Sequence, residues 1–179
     1  MNTIPRRHRY IESRTSRDEG GRMIPKEAMI EIKFPESFRE LSADEVHKAF
    51  QDNYDQRWGV RDEENHVIIV LQWNKANGLL AKISNIEGVC KEDEKKLSRA
   101  MRSNSYSLGS FFDGTVCGTQ SKGFSYSYEI QGQKQYAQLI VFRNGNMFYK
   151  LYYYTRPELE EANRETWKGI MEGIGFISE

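Results

Sequence analysis

Tyr136-Ala-Gln-Leu-Ile-Val-Phe142, Arg143-Asn-Gly-Asn146 and Met147-Phe-Tyr-Lys-Leu-Tyr-Tyr-Tyr154 follow one another in the last third of the chain. The outer two runs are rich in β-branched and aromatic residues. Asn144-Gly145 between them is a strong hairpin signal, because a type I′ turn needs positive φ at both central positions. A two-residue loop there sets a register. Arg143 faces Asn146, Phe142 faces Met147, Ile140 faces Tyr149, Gln138 faces Leu151 and Tyr136 faces Tyr153. These pairs share one face, since side chains alternate along a strand. Val141 with Phe148, Leu139 with Lys150 and Ala137 with Tyr152 share the other. A sheet with one wet face carries polar side chains at every second position. Neither face does here, so the hairpin predicts a sheet covered on both sides.

The flanking segments extend that reading. Phe124, Tyr126, Tyr128 and Ile130 alternate with Ser125, Ser127, Glu129 and Gln131, a strand with one apolar face. An even-length turn near Gly132 places that face with Ala137, Leu139 and Val141. After the hairpin, Pro157 suits a first helical turn, and Glu158, Glu160 and Glu161 suit the positive end of a helix dipole. Leu159, Ala162, Thr166 and Ile170, with Trp167, Met171 and Ile174, form the stripe that this helix lays on a sheet. Gly173 and Gly175 stop it.

Upstream, Met29–Phe34 reads as a short strand closed by Pro35. Ser42-Ala-Asp-Glu45 is a capping box before a short helix with Val46, Ala49 and Phe50 on its face. Trp58–Arg61 is a second strand. The turn Asp62-Glu-Glu-Asn65 leads to a third, His66–Trp73, apolar on both sides. Leu79–Arg102 reads as helix broken near Gly88, with the charged run Lys91–Lys96 as its solvated face. Ser105–Phe112 is a fourth strand, Asp113-Gly114 a turn, and Thr115–Gln120 a weak strand or loop.

Length and charge narrow the function classes. At 179 residues, one domain over 23–179 is the expectation, preceded by a basic polar arm over 1–22. That arm carries six arginines, Arg6, Arg7 and Arg9 among them, against three acids, and little to bury. It reads as a solvated tail, or as an arm that docks on an acidic partner. The whole chain balances 26 basic with 26 acidic residues. A dedicated nucleic-acid binder carries a basic domain, so nucleic acid is not the expected partner. No apolar run approaches the ~18 residues of a membrane span, and the N-terminus has no apolar signal core. Two cysteines, Cys90 and Cys117, make no disulfide framework. A cytoplasmic protein is expected, a monomer or weak dimer.

Strand, helix, two strands, a longer helix, an antiparallel meander and a final helix define the fold class. It is α+β, an α/β/α sandwich of about six or seven mostly antiparallel strands with helices on both faces. The element order resembles the PsbP/Mog1 fold family over residues 24–176. The resemblance lies in Pro35-Glu-Ser-Phe-Arg-Glu-Leu-Ser42 after the first strand, the strand to Trp73 after an acidic turn, and the charged helix. It continues in Gly123-Phe-Ser-Tyr-Ser-Tyr128, the Asn-Gly hairpin, and the helix around Trp167. Small bacterial members are most similar. The family includes a photosystem II extrinsic subunit, a Ran-binding import factor and effector chaperones, so the resemblance implies a module that binds another protein. It carries over no catalytic motif.

The residues agree with that implication. Nothing matches G-x-S-x-G, a P-loop, H-E-x-x-H or C-x-x-C. Gly173-Ile-Gly175 sits at a helix end and reads as a stop. His8, His47 and His66 have no carboxylate or cysteine at metal-ligand spacing, so no metal or cofactor is expected. A Cys–His pair adjacent only in space stays open. The aromatics read chiefly as core beneath helices. Tyr126, Tyr128, Lys150, Tyr152 and Tyr154 are also the candidate partner-binding cluster, together with Arg6, Arg7 and Arg9, since Tyr and Arg are enriched at contact hot spots. The exposed part is expected at the Tyr152–Tyr154 end. The alternative is a small-ligand binder with an aromatic-lined pocket between sheet and helix.

Overall fold

A computed structural model describes residues 15–18, 22–50, 54 and 56–178. Its largest element is a seven-stranded antiparallel sheet. The strands are β4 (Arg39–Glu40), β5 (Arg57–Asp62), β6 (Val67–Lys75), β7 (Ser107–Val116), β8 (Thr119–Ile130), β9 (Gln133–Asn144) and β10 (Met147–Thr155). Their order across the sheet is β4-β5-β6-β10-β9-β8-β7. A smaller sheet joins β1 (Thr15–Asp18), β2 (Arg22–Pro25), β3 (Ile30–Lys33) and β11 (Gly175–Phe176) in the order β1-β2-β3-β11. The helices are α1 (Ala43–Phe50), α2 (Gly78–Ile83), α3 (Ile86–Ala100) and α4 (Glu160–Glu172).

Both faces of the large sheet are covered, as the hairpin requires. On one face Ile69, Leu71, Ile140, Phe142, Tyr149, Leu151 and Tyr153 pack with the small sheet and α4. Trp167 of α4 stacks on Tyr153 with ring centroids 4.5 Å apart, and its indole N–H donates to Gln138 Oε1 at 3.1 Å. The buried Tyr149 hydroxyl donates to the Ala28 carbonyl at 2.8 Å, tying the small sheet down. On the other face Val70, Phe124, Tyr126, Leu139, Val141 and Tyr152 pack under α1 and α3, through Val46, Ile86 and Cys90. The predicted capping box forms at α1: Glu45 N–H donates to Ser42 Oγ at 3.2 Å, and Ser42 N–H to Glu45 Oε2 at 2.9 Å.

Several expectations are corrected in detail. In the hairpin Asn144 pairs with Met147 and Phe142 with Tyr149, so the loop is Gly145-Asn146 and the register differs by two residues. Gly145 alone has positive φ (56°) there, so the turn is not type I′. A shift of two keeps every side chain on its predicted face. Positive φ at both loop positions occurs instead at Gln131-Gly132 (51° and 77°) and Cys117-Gly118 (48° and 76°). Asp113-Gly114 is therefore not a turn but the middle of β7, which runs from Ser107 to Val116. The long helix breaks at Ser84-Asn85 rather than near Gly88. Asn85 Oδ1 accepts from Gly88 N–H at 2.7 Å, so Gly88 lies within the first turn of α3. The apolar face of α4 is centred on Asn163, Trp167 and Ile170, whereas Ala162 and Thr166 are exposed. Asn163 is buried because its amide donates to Asn65 O at 3.0 Å and Thr155 Oγ1 at 2.9 Å.

Candidate functional site

The aromatic cluster named from the sequence is brought together, but as core. Ala137 makes this possible. It lies opposite both Tyr126 and Tyr154, and its methyl leaves room for rings from β8 and β10 to meet across β9. Tyr128 meets Tyr154 edge-on at 6.4 Å, Tyr126 stacks on Tyr128 at 5.9 Å, and Tyr152 stacks on Tyr154 at 6.3 Å. Phe50 of α1 meets Tyr152 edge-to-face at 5.1 Å, and the Arg57 guanidinium lies over the Phe50 ring, 3.9 Å from its centroid. Tyr126, Tyr128 and Tyr152 are buried and Tyr154 is half-buried, so the Tyr152–Tyr154 end is not the exposed surface expected of it. Burial pushes the Tyr128 hydroxyl up to about 12 and raises those of Tyr126 and Tyr154 well above the ordinary tyrosine value, so all three are neutral at ordinary pH. Arg6, Arg7 and Arg9 lie outside the described residues.

Lys150 is drawn inward as well. Its ammonium donates to Asp93 Oδ1 at 2.7 Å, and the two side chains are only 18% and 9% exposed. Asp93 thus departs from the solvated face predicted for Lys91–Lys96. A buried charge is retained only when paired, and Lys150 is the pair.

Above that ion pair opens a cleft of about 710 Å³ between α2, α3 and the sheet. Local contacts build it. Asn77 Oδ1 caps α2 by accepting from Leu80 N–H at 2.9 Å. Arg143 donates to the carbonyls of Ala81 and Ser84 at 2.9 and 3.1 Å, fixing the far end of α2 to the hairpin. Phe148 and Val141 form the floor, Leu80, Ile83 and Val89 the walls. α2 also leaves apolar side chains in water: Leu79 is 72% exposed, and the cleft-lining Ile83 and Leu80 are 68% and 48% exposed. Sequence reasoning missed this surface. Its signal was present in Leu79, Leu80 and Ile83, too many apolar residues for one buried stripe on so short a helix.

Among the described residues no three His, Cys, Asp or Glu side chains stand together as a metal site. Burial pushes the Cys90 thiol up to about 11, against thiolate formation, and Cys117 is exposed at the β7–β8 turn. His47 and His66 are both exposed.

No protein-family model matches the chain, and no curated protein matches its sequence. Solved structures do. The solution structure of CyanoP, the cyanobacterial PsbP of Synechocystis sp. PCC 6803, superposes with a TM-score of 0.66 at 9% identity, over 87% of this chain and 91% of that one. The yeast (Saccharomyces cerevisiae) Ran-binding protein Mog1p matches with a TM-score of 0.55 at 8% identity, over 88% of this chain and 95% of that one. The chain has the PsbP/Mog1-like fold. LpqN, involved in cell envelope biogenesis of Mycobacterium tuberculosis, shares it with a TM-score of 0.56 at 13% identity, over 90% of this chain and 87% of that one. At these identities the likeness concerns the backbone. Within the PsbP/Mog1-like fold, the α2 surface and its cleft rest on this chain's own residues. No helix among the described residues is long and apolar enough to cross a membrane.

Proposed function

We propose that this chain is a non-catalytic protein-binding module of the adaptor, immunity or effector-chaperone type, working in the cytoplasm of a bacterium. The observation that carries the reading is the α2 surface. Three apolar side chains stand in water beside a cleft wide enough to take a partner's side chains, and exposed apolar groups clustered at a concavity mark contact sites. A fold shared with a protein described as Ran-binding supports it. In this reading Lys150 lies at the cleft floor, while Tyr126, Tyr128, Tyr152 and Tyr154 line no part of the cleft. Arg6, Arg7 and Arg9 supply positive charge for an acidic part of the partner.

The test is capture from the source organism with full-length chain at native expression, tagged at either terminus, followed by mass spectrometry. A stoichiometric protein retained by the wild type and lost from Leu79→Asp/Ile83→Asp supports the proposal. Absence of any stoichiometric partner with both tags counts decisively against it.

The cleft favours a second reading, a small-ligand binder. Its volume of about 710 Å³ matches ordinary ligand pockets, although its walls are aliphatic and charged with Phe148 the one aromatic, not aromatic-lined as expected. A ligand present at ~100 times its Kd adds about 2.7 kcal/mol of stability. A thermal-shift screen of metabolites and lipids that stays flat removes this reading.

A further inference from the structure

The two ends of the large sheet are finished differently. β4 is two residues long, and its Arg39 bonds Glu45 and Glu63, each at 2.8 Å. A short, charged strand is a protected edge. The opposite end is β7, ten residues long and exposed except at Phe112 and Val116. Its sequence, Ser107-Leu-Gly-Ser-Phe-Phe-Asp-Gly-Thr-Val116, holds no Lys, Arg or Pro and a single charge, Asp113. Lys122 on β8 holds that carboxylate at 2.8 Å, so the edge is electrically neutral. Its one bulge lies between Leu108 and Phe111, and from Phe111 to Val116 the register with β8 is unbroken. No described strand pairs with the outer side of that run. Leu108 is 39% exposed beside it and Phe111 48%.

We propose that β7 pairs antiparallel with β7 of a second copy of this chain, joining two seven-stranded sheets about a two-fold axis. Charge selects the second copy over a basic peptide. Asp113 already has its cation, and two chains of zero formal net charge approach without mutual repulsion. Geometry limits the register. A two-fold axis normal to the sheet keeps the two faces aligned, so residues of equal parity stand opposite one another. With Asp113 on the axis, two carboxylates would meet, which is unfavourable. With Gly114 on the axis, Phe112 faces Val116 of the second copy and Asp113 faces Thr115. That register also brings Phe111 of each copy under the other's Cys117 turn, out of water.

Sedimentation equilibrium of the purified full-length chain across the micromolar range tests this. The expected result is a twofold mass at the upper concentrations. Thr115→Asp sets a second carboxylate opposite Asp113 of the other copy at an exposed position, so it is expected to fold normally by circular dichroism and to weaken dimerisation at least tenfold. Phe111→Lys is expected to do the same. A wild-type chain that stays monomeric, or dimerises only when residues 1–14 are deleted, overturns the proposal. So does a dimer that both variants leave intact. The measurement uses the purified chain alone, so its failure leaves the α2 reading standing, and failed partner capture leaves this one standing.

Discussion

Tyr149 and Lys150 are adjacent in β10 yet answer to opposite faces. Tyr149 loses water to donate one hydrogen bond to Ala28, and burial pushes its hydroxyl up to about 12, as it does for Tyr128 and Tyr153. An unfolded tyrosine loses its proton near ~10. Between about 10 and 12 the unfolded chain therefore binds fewer protons than the folded one, and stability falls as pH rises. This stabilisation is complete below the unfolded value and gone once pH passes the folded one. Urea midpoints followed by circular dichroism should be flat through neutral pH and drop steeply in that alkaline window. Tyr149→Phe should cost about 1 kcal/mol at neutral pH, the worth of one buried hydrogen bond, and make the alkaline drop shallower. Lys150 faces the other way. Lys150→Ala strands the Asp93 carboxylate at 9% exposure, at a cost of about 2 kcal/mol given the partial access of water to the pair. Adding Asp93→Leu should recover most of it, because the damage is a stranded charge and not lost packing. A double-mutant cycle in urea reads this directly, and equal destabilisation of the single and double variants would refute it.

At the scale of elements, turns separate what the chain reveals locally from what it does not. Gln131 holds φ at 51° without being glycine, a conformation that costs an ordinary side chain about 1 kcal/mol. Gln131→Gly should raise the midpoint of thermal unfolding. Gly145→Ala should cost about 1 kcal/mol and lower that midpoint while Asn144→Ala stays nearly silent, because only Gly145 of that pair has positive φ. Calorimetry of the three variants decides between the two loop placements. Face assignment was legible from composition because the strand period is two, and a slip of two residues leaves it unchanged. The loop itself was not, since Asn-Gly and Gly-Asn both supply a glycine and only the pairing of whole strands chooses. Asp113-Gly114 failed for a related reason. Its turn chemistry is local, and it is overridden by eight pairs between β7 and β8. The break before α3 follows Asn85, whose side chain caps the helix, a stronger cause than the propensity of Gly88. The exposed apolar surface of α2 was hardest to read. Which apolar residues remain exposed depends on where α3 stops covering the sheet, and no short window records that.

For the whole molecule, the sheet is a single wall between two cores. β6 contributes Ile69 and Leu71 to one core and Val70 to the other, and β9 alternates Ile140 and Phe142 with Leu139 and Val141. Neither side can melt without exposing the back of strands that the other side needs, so the two should unfold as one cooperative unit. The placement of tryptophan makes this testable. Trp58, Trp73 and Trp167 all belong to the core beneath α4 and the small sheet. Their fluorescence reports that side alone, while far-ultraviolet circular dichroism also reads α1 to α3. In urea the two signals should share one midpoint. Ile86→Ala removes a buried contact of α3 on the opposite side, where no tryptophan lies, and should cost about 2 kcal/mol. If the sheet couples the cores, the fluorescence midpoint moves down together with the circular dichroism midpoint. A fluorescence midpoint that stays at the wild-type value while circular dichroism falls would show the helices over Val70 and Tyr126 melting by themselves, and the cleft between α2 and α3 would then belong to a separately mobile layer.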